Sequence, residues 1–341
     1  MHRSSKKMNI TEIAKRANVS IATVSRVINN PEKVKKETRK KIQKEIEESN
    51  YIRNALGLHL RTNKTNTIGL IHTSLAMDFY SQIAQGIEET ARKLNYNVML
   101  CNSADDPKIE RQQLQILFEK QVDGIIIAPT RYNTDLIKRI QANGVPICCI
   151  DRIYPDIASD HVLIDNLKST YEATNVLISM GYEHIGFISA PIALSTGKQR
   201  HDGYIKALED SDIPVDKSLI KYGDAFMNSG IRAAKELLQN KELDCIFCSN
   251  ELMALGALQT LTDKGIRIPD QIGFLTWDNP PWAKFSYPQI SVISQPTYEI
   301  GTIAAETIMR RINSDDQSYG EPLEITLHAK MIKRSSLLTR R

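Results

Sequence analysis

Between positions 20 and 29 the chain reads Ser20-Ile21-Ala22-Thr23-Val24-Ser25-Arg26-Val27-Ile28-Asn29. Val24, Val27 and Ile28 recur at helical spacing and need burial, which turns Ile21, Ala22, Ser25 and Arg26 outward. Small side chains beside a guanidinium suit a helix that enters the major groove of a duplex. A second polar set lies further on: Asp151 with Arg152, then Arg200, Asn250, and Trp277 with Asp278. Carboxylates, an amide and guanidinium groups near an aromatic face are what a polar small ligand such as a sugar requires. Each also has a plainer reading. Asp151 and Arg152 could form a surface ion pair, Arg200 could face solvent, Asn250 and Asp278 could cap, and Trp277 could be core.

The first set needs a helix before it and one after it. Asn9 can cap a helix, with Glu12 three residues on closing a capping box. Ile10, Ile13, Ala14 and Ala17 then share one face. Asn18 suits a left-handed turn, and Ser20 can cap the helix that follows. A third helix is expected from Glu37 to Ser49, with Ile42 and Ile46 inward and Lys40, Lys41 and Lys44 outward. Two helices joined by a tight turn form a helix-turn-helix. Charge agrees with this reading: residues 1–61 hold 15 Lys+Arg against 6 Asp+Glu, or +9, whereas the whole chain is only +4. A basic patch confined to the motif is what phosphate contact requires.

The second set needs strands. Ile68–Ile71, Val98–Cys101, Gly124–Ala128 and Pro146–Ile150 are short apolar runs separated by amphipathic helices near 80–94 and 109–121, a pattern that implies a parallel sheet covered on both faces. Ile185-Gly186-Phe187-Ile188 echoes Ile68-Gly69-Leu70-Ile71, and Asp244-Cys245-Ile246-Phe247 echoes Asp123-Gly124-Ile125-Ile126. Two similar α/β halves suggest two lobes with a ligand cleft at the carboxyl ends of their strands. Asp151, Arg152, Asn250, Trp277 and Asp278 all stand just past such ends. The five cysteines lack scaffold spacing, and Cys245 and Cys248 fall on opposite faces of one strand, so core roles are expected rather than disulfide or metal. With no membrane-length apolar run and no secretory leader, the expected location is the cytoplasm.

Together these residues resemble the LacI/GalR family of bacterial transcription regulators over nearly the whole chain. Ala17-Asn18-Val19-Ser20 with Thr23-Val24-Ser25-Arg26-Val27-Ile28-Asn29 is similar to that family's DNA-binding signature. Asp151-Arg152, Gly181-Tyr182-Glu183-His184-Ile185, Arg200 with Gly203, Ser249-Asn250-Glu251-Leu252-Met253-Ala254-Leu255-Gly256 and Gln295-Pro296 follow in the family's order. The resemblance implies an α/β fold: a three-helix helix-turn-helix head plus a type I periplasmic-binding-protein-like two-lobed sensor with parallel sheets. The expected divisions are a disordered basic start (1–7), the DNA-binding domain (8–53), a hinge helix and linker (54–66) and an effector-binding and dimerisation domain (67–341). A homodimer on a near-palindromic, double-stranded operator is implied, without cofactor, metal, catalysis or membrane contact. The family's positions assign DNA contact to Ser20, Ile21, Ala22, Thr23, Ser25, Arg26 and Asn29, with Arg26 toward guanine, and to Asn54 and a minor-groove wedge at Leu60 in the hinge. They assign the effector, a sugar or sugar acid, to Phe79, Tyr80, Asp151, Arg152, Arg200, Asn250, Trp277 and Asp278. Arg152 and Arg200 would suit a carboxylate.

Two rival classes are weaker. A transport solute-binding protein would share the sensor but carry a leader and no basic head. An enzyme on this scaffold would need a nucleophile elbow, a phosphate loop or a metal-spaced set, and none is present. The expected hinge departs from the family in reading Gly57-Leu58-His59-Leu60. Glycine costs a helix about 1 kcal/mol against alanine. Gly57→Ala is therefore expected to tighten operator binding by easing hinge ordering. A titration showing unchanged or weaker binding would refute that.

Overall fold

The computed structural model describes residues 9–49, 64–154, 156–314 and 321–340. The chain divides into two units, one ending at Lys64 and the other beginning at Thr65. The expected basic start and the hinge residues Asn54, Gly57 and Leu60 lie outside the described residues.

Local rules build the first unit. Asn9 Oδ1 accepts from the Glu12 amide at 2.9 Å, and Glu12 Oε2 accepts from the Asn9 amide at 3.0 Å; this reciprocal box starts α1 (Ile10–Ala17). Asn18 ends α1 at φ 52°, the left-handed turn that asparagine tolerates. Ser20 Oγ accepts from the Thr23 amide at 3.1 Å and starts α2 (Ile21–Asn29). After a short turn comes α3 (Lys36–Glu48). Ile13, Ala14 and Ala17 of α1, Val24 and Val27 of α2 and Ile42 of α3 form one small core, with Ile10, Ile28 and Ile46 at its margin.

In the second unit strands and helices alternate: β1 (Thr67–His72), α4 (Asp78–Lys93), β2 (Asn97–Asn102), α5 (Pro107–Glu119), β3 (Gly124–Ile127), α6 (Thr134–Ala142), β4 (Ile147–Ile150) and β5 (Asp160–Ile164). The chain then crosses into a second lobe: α7 (Asn166–Ser179), β6 (Ile185–Ser189), α8 (Ser195–Asp210), β7 (Ile220–Tyr222), α9 (Met227–Leu237), β8 (Cys245–Cys248), α10 (Glu251–Asp263), β9 (Gly273–Trp277), α11 (Pro281–Phe285) and β10 (Ser291–Ser294). It returns to the first lobe for α12 (Thr297–Ile312) and β11 (Glu324–Leu327), then crosses again for β12 (Lys330–Ile332). The sheet orders are β11-β5-β4-β3-β1-β2 and β12-β10-β9-β8-β6-β7. Within the described residues every pairing is parallel except β10 with β12.

Burial follows the strand period of two. Ile126 and Cys148 face one core cluster, while Ile125, Ile127 and Cys149 face another across the sheet. Cys245 and Cys248 divide in the same way. All five cysteines are buried as free thiols. Burial pushes the thiols of Cys149 and Cys248 well up, Cys149 to about 11.

The helices press close at small residues. A Cβ on Gly86 of α4 would lie 2.3 Å from the Tyr298 carbonyl oxygen, and one on Gly301 of α12 would lie 2.2 Å from that of Ile83. The second lobe repeats the device in α9 and α10: a Cβ on Gly230 or Gly256 would lie 2.1 Å from a facing backbone carbonyl oxygen. Helix propensity alone favours Gly301→Ala by about 1 kcal/mol, but wedging apart two packed helices costs about 1–3 kcal/mol. Packing should win, so Gly301→Ala is expected to lower the urea midpoint of unfolding. A raised midpoint would show that the crossing yields more easily than its geometry implies.

Candidate functional site

Two surfaces collect the predicted residues. On the head, Ile21 is 46% exposed and Ala22 and Arg26 are exposed beside it, an outward face opposite the buried Val24 and Val27. Ser20 Oγ and Thr23 Oγ1 lie 2.8 Å apart, so the hydroxyl that caps α2 and its Thr23 partner stand together at the leading edge of the helix. Ser25 is half-buried, and Asn29 is the last residue of the helix.

The second surface is a cleft at the carboxyl ends of both sheets. Thr73 follows β1, Asp151 and Arg152 follow β4, Ala190 follows β6, Asn250 follows β8 and Asp278 follows β9; all line one cavity with Phe79, Tyr80 and Arg200. Asp151 and Asp278 occupy equivalent places in the two lobes and share the left-handed backbone, φ 63° and 70°. Non-glycine residues rarely sit there, and such strain concentrates at functional sites.

In the first lobe Asp151 accepts from the Tyr80 hydroxyl at 3.0 Å. Arg152 donates to Asp105 at 2.6 Å, and its Nε lies 3.3 Å from Asp151 Oδ2. Burial opposes the charge on Arg152, but Tyr80, Asp151 and Asp105 together raise its pKa above the ordinary arginine value. Burial raises the Tyr80 hydroxyl, and Asp151 adds to that. Tyr80 also stacks on His72, centroids 5.6 Å apart.

In the second lobe Arg200 donates from Nε to Asn166 Oδ1 at 2.8 Å and from Nη1 to the Ser249 carbonyl at 2.6 Å, and its guanidinium lies 3.7 Å from the ring centre of Trp277. Burial lowers its pKa, and Asp278 partly offsets this. Burial raises Asp278, which Arg200 and a 2.6 Å hydrogen bond from Gln295 oppose. Asn250 caps as expected: Oδ1 accepts from the Met253 amide at 2.9 Å at the start of α10, while its side-chain amide, on the cavity wall, donates to the Ala225 carbonyl at 3.0 Å.

The cleft corrects two expectations. Trp277 is fully buried and absent from the cavity wall, because Arg200 covers its ring; it supports the arginine rather than offering a face to a ligand. Arg152 is not an open anion site, because Asp105 and Asp151 already hold it. Sequence reasoning also missed Asp105, Asn166 and Phe226. Asp105 lacks any local motif. Asn166 stands at a crossing between lobes that only the sheet topology reveals. Phe226 lines the cavity yet is 51% exposed. Among the described residues no helix is long and apolar enough to cross a membrane.

A family model described as "Bacterial regulatory proteins, lacI family" matches residues 9–54, and one described as "Periplasmic binding proteins and sugar binding domain of LacI family" matches residues 65–335. The transcriptional repressor PurR of Actinobacillus pleuropneumoniae serotype 3 (strain JL03) is 30% identical over 329 residues, 96% of this chain and 98% of that protein. The solved complex of the transcriptional regulator CelR with cellobiose is 27% identical and superposes with a TM-score of 0.73, covering 97% of this chain and all of that one. A LacI-family regulator from Enterococcus faecium with bound ribose is 26% identical, TM-score 0.73, covering 81% of this chain and all of that one.

Removing one partner of a buried ion pair leaves an uncompensated charge and costs several kcal/mol. Arg152→Met is expected to lose about 2–4 kcal/mol of stability by urea unfolding, below the upper end of that range because Asp105 is 28% exposed. Adding Asp105→Asn should restore part of the loss. A deficit under about 0.5 kcal/mol, within the scatter of ordinary surface changes, would mean that the pair contributes little.

Proposed function

The chain belongs to the LacI family of bacterial regulatory proteins, and we propose that it represses carbohydrate-use genes, as a homodimer on a near-palindromic operator, under the control of an uncharged sugar held between its lobes. It is a transcription regulator, and its family is one of regulators rather than enzymes. The finer reading rests on the wall of the cleft. Donors and acceptors from both lobes, among them Thr73, Asp151, Arg200, Asn250 and Asp278, surround the space beside Phe79 and Phe226. A ring of hydroxyls needs both kinds of group with an apolar face beside them.

Charge favours an uncharged sugar over a sugar acid. Arg152 is held by two carboxylates, and Asp105, Asp151 and Asp278 outnumber Arg152 and Arg200 on the wall. A carboxylate entering there would meet a surplus of its own sign in a poorly solvated place. The sugars in the CelR and Enterococcus faecium complexes support the same class. A helix-turn-helix that reads a two-fold site works as a symmetric pair. Its DNA lies in the cytoplasm, where we place its action. A ligand that binds one lobe arrangement better than the other shifts the population of DNA-competent dimers, with a coupling typically of about 1–3 kcal/mol.

Fluorescence anisotropy on a symmetric duplex obtained by selection tests the whole reading. Specific binding should fall at about 10⁻⁸–10⁻¹¹ M and weaken steeply with salt. Ribose, cellobiose and other neutral sugars should change it, whereas the corresponding sugar acids should not. A response confined to the acids would overturn the uncharged class. Arg26→Ala should weaken the selected duplex by about 5- to 150-fold, the equivalent of about 1–3 kcal/mol for one lost base contact. An equal loss on random DNA would show that Arg26 touches only phosphate.

A further inference from the structure

Beside the cleft, between the wall residues Asn250 and Leu252, stands one acid that the sugar reading does not use. Glu251 is the first residue of α10 and is only 3% exposed. Its Oε1 receives the Trp282 indole N–H at 3.4 Å, while its Oε2 is buried with no hydrogen-bond partner. A bare buried carboxylate oxygen is costly, and a proton on it removes the charge.

Its neighbours add to that cost, and they come from both lobes. Asp278 follows β9 in the second lobe and Asp78 opens α4 in the first; both act on Glu251 as like charges. Asp78 receives the Gln82 amide, and Asp278 receives Gln295. Arg200 acts on Asp278. The Trp282 indole and the Asp78 backbone amide favour the charged form of Glu251 but do not offset the rest. Burial first, then Asp278 and Asp78, push the acid up to about 7.

We infer that Glu251 is a proton-linked latch: the lobes as they stand hold it protonated between Asp78 and Asp278, and separating them releases the proton to water. Opening would carry Asp78 away with the first lobe and hydrate Oε2; loss of that like charge and the hydration favour the carboxylate and outweigh loss of the Asp78 amide, the smallest of the influences on it. The sign follows from linkage. The closed arrangement binds the extra proton only between the ordinary glutamate value of 4.5 and about 7, so closure is least costly below that window, loses ground as the pH rises through it, and changes no further above it. If an effector acts by closing the lobes, its affinity should fall by at most about tenfold per pH unit as the pH rises from the ordinary glutamate range to about 7, and level off above that. That last step rests on the proposed effector site; the proton site itself does not.

The native cysteines are all buried, so two added ones can be labelled selectively. Tyr132 and Ile192 are 73% and 51% exposed on loops of opposite lobes that meet where Arg131 donates to the Ala193 carbonyl. Nitroxides on full-length Tyr132→Cys/Ile192→Cys should broaden each other's spectra increasingly as the pH falls from 8 to 6. Glu251→Gln, a permanent mimic of the protonated acid, should be broadened at both pH values. Asp78→Asn keeps the acid but removes the charge on the opposite lobe, so it should move the midpoint to lower pH. A flat wild-type response, or the same response in Glu251→Gln, would overturn the latch. Ribose or cellobiose that closes the lobes equally at pH 6 and 8 would also overturn it while upholding the sugar site. A pH response with no effect of any sugar would uphold the latch and count against that site.

Discussion

The sensor is governed by its three chain crossings between lobes. Ile164–Asn166, Ser294–Thr297 and Leu327–Lys330 join two sheets that otherwise have separate cores on their outer faces. The first and third are linked, with the Asp165 amide donating to the Leu327 carbonyl at 2.9 Å. Parallel strands send all their carboxyl ends to one edge, and the crossings keep the two such edges opposed. One hydrophobic cluster also runs from the inner face of the first sheet into the second, from Ile126 and Cys148 to Phe247 and Leu275. Arg200 grips the first crossing through Asn166 and the ends of two strands through Ser249 and Trp277, so a ligand touching that arginine is one residue from the crossing.

One buried acid of this unit is satisfied entirely by neutral partners. Glu110 is wholly buried, yet it accepts from the Thr130 amide and hydroxyl, the Asn133 amide and the Tyr154 hydroxyl, at 2.6 to 2.9 Å. A carboxylate so enclosed fixes the loop after β3 without any cation. The cleft wall is built otherwise: three carboxylates, Asp105, Asp151 and Asp278, face two arginines, Arg152 and Arg200, and Nε of Arg152 is left without a hydrogen-bond partner.

Much of this was legible because it is local. The Asn9 box, the left-handed Asn18 and the Ser20 cap depend on residues within three positions of each other, and they appear as read. The strands of the first lobe and their echoes in the second were visible from apolar runs and period two. What sequence alone could not supply was pairing at long range. Nothing near Arg152 announces that Asp105 neutralises it, so a pair of arginines looked like an anion site. Trp277 was open between core and ligand platform because only the approach of Arg200, from another helix, decides it. The placement of β11 and β12 in different sheets is likewise invisible to periodicity, since each pairs with a strand distant in sequence.

That placement bears on how the protein is made. The first lobe has β1 to β5 once Ile164 is synthesised, but α12, which covers one face of its sheet, and β11, which closes its edge, come only after the entire second lobe. At about 5–20 residues per second the wait is on the order of ten seconds. During it Ile126, Cys148 and Val162 lack their cover and β5 has an unpaired edge. The nascent chain therefore carries an apolar sheet face and an open strand edge that it cannot yet hide, the kind of surface that favours association while it lasts.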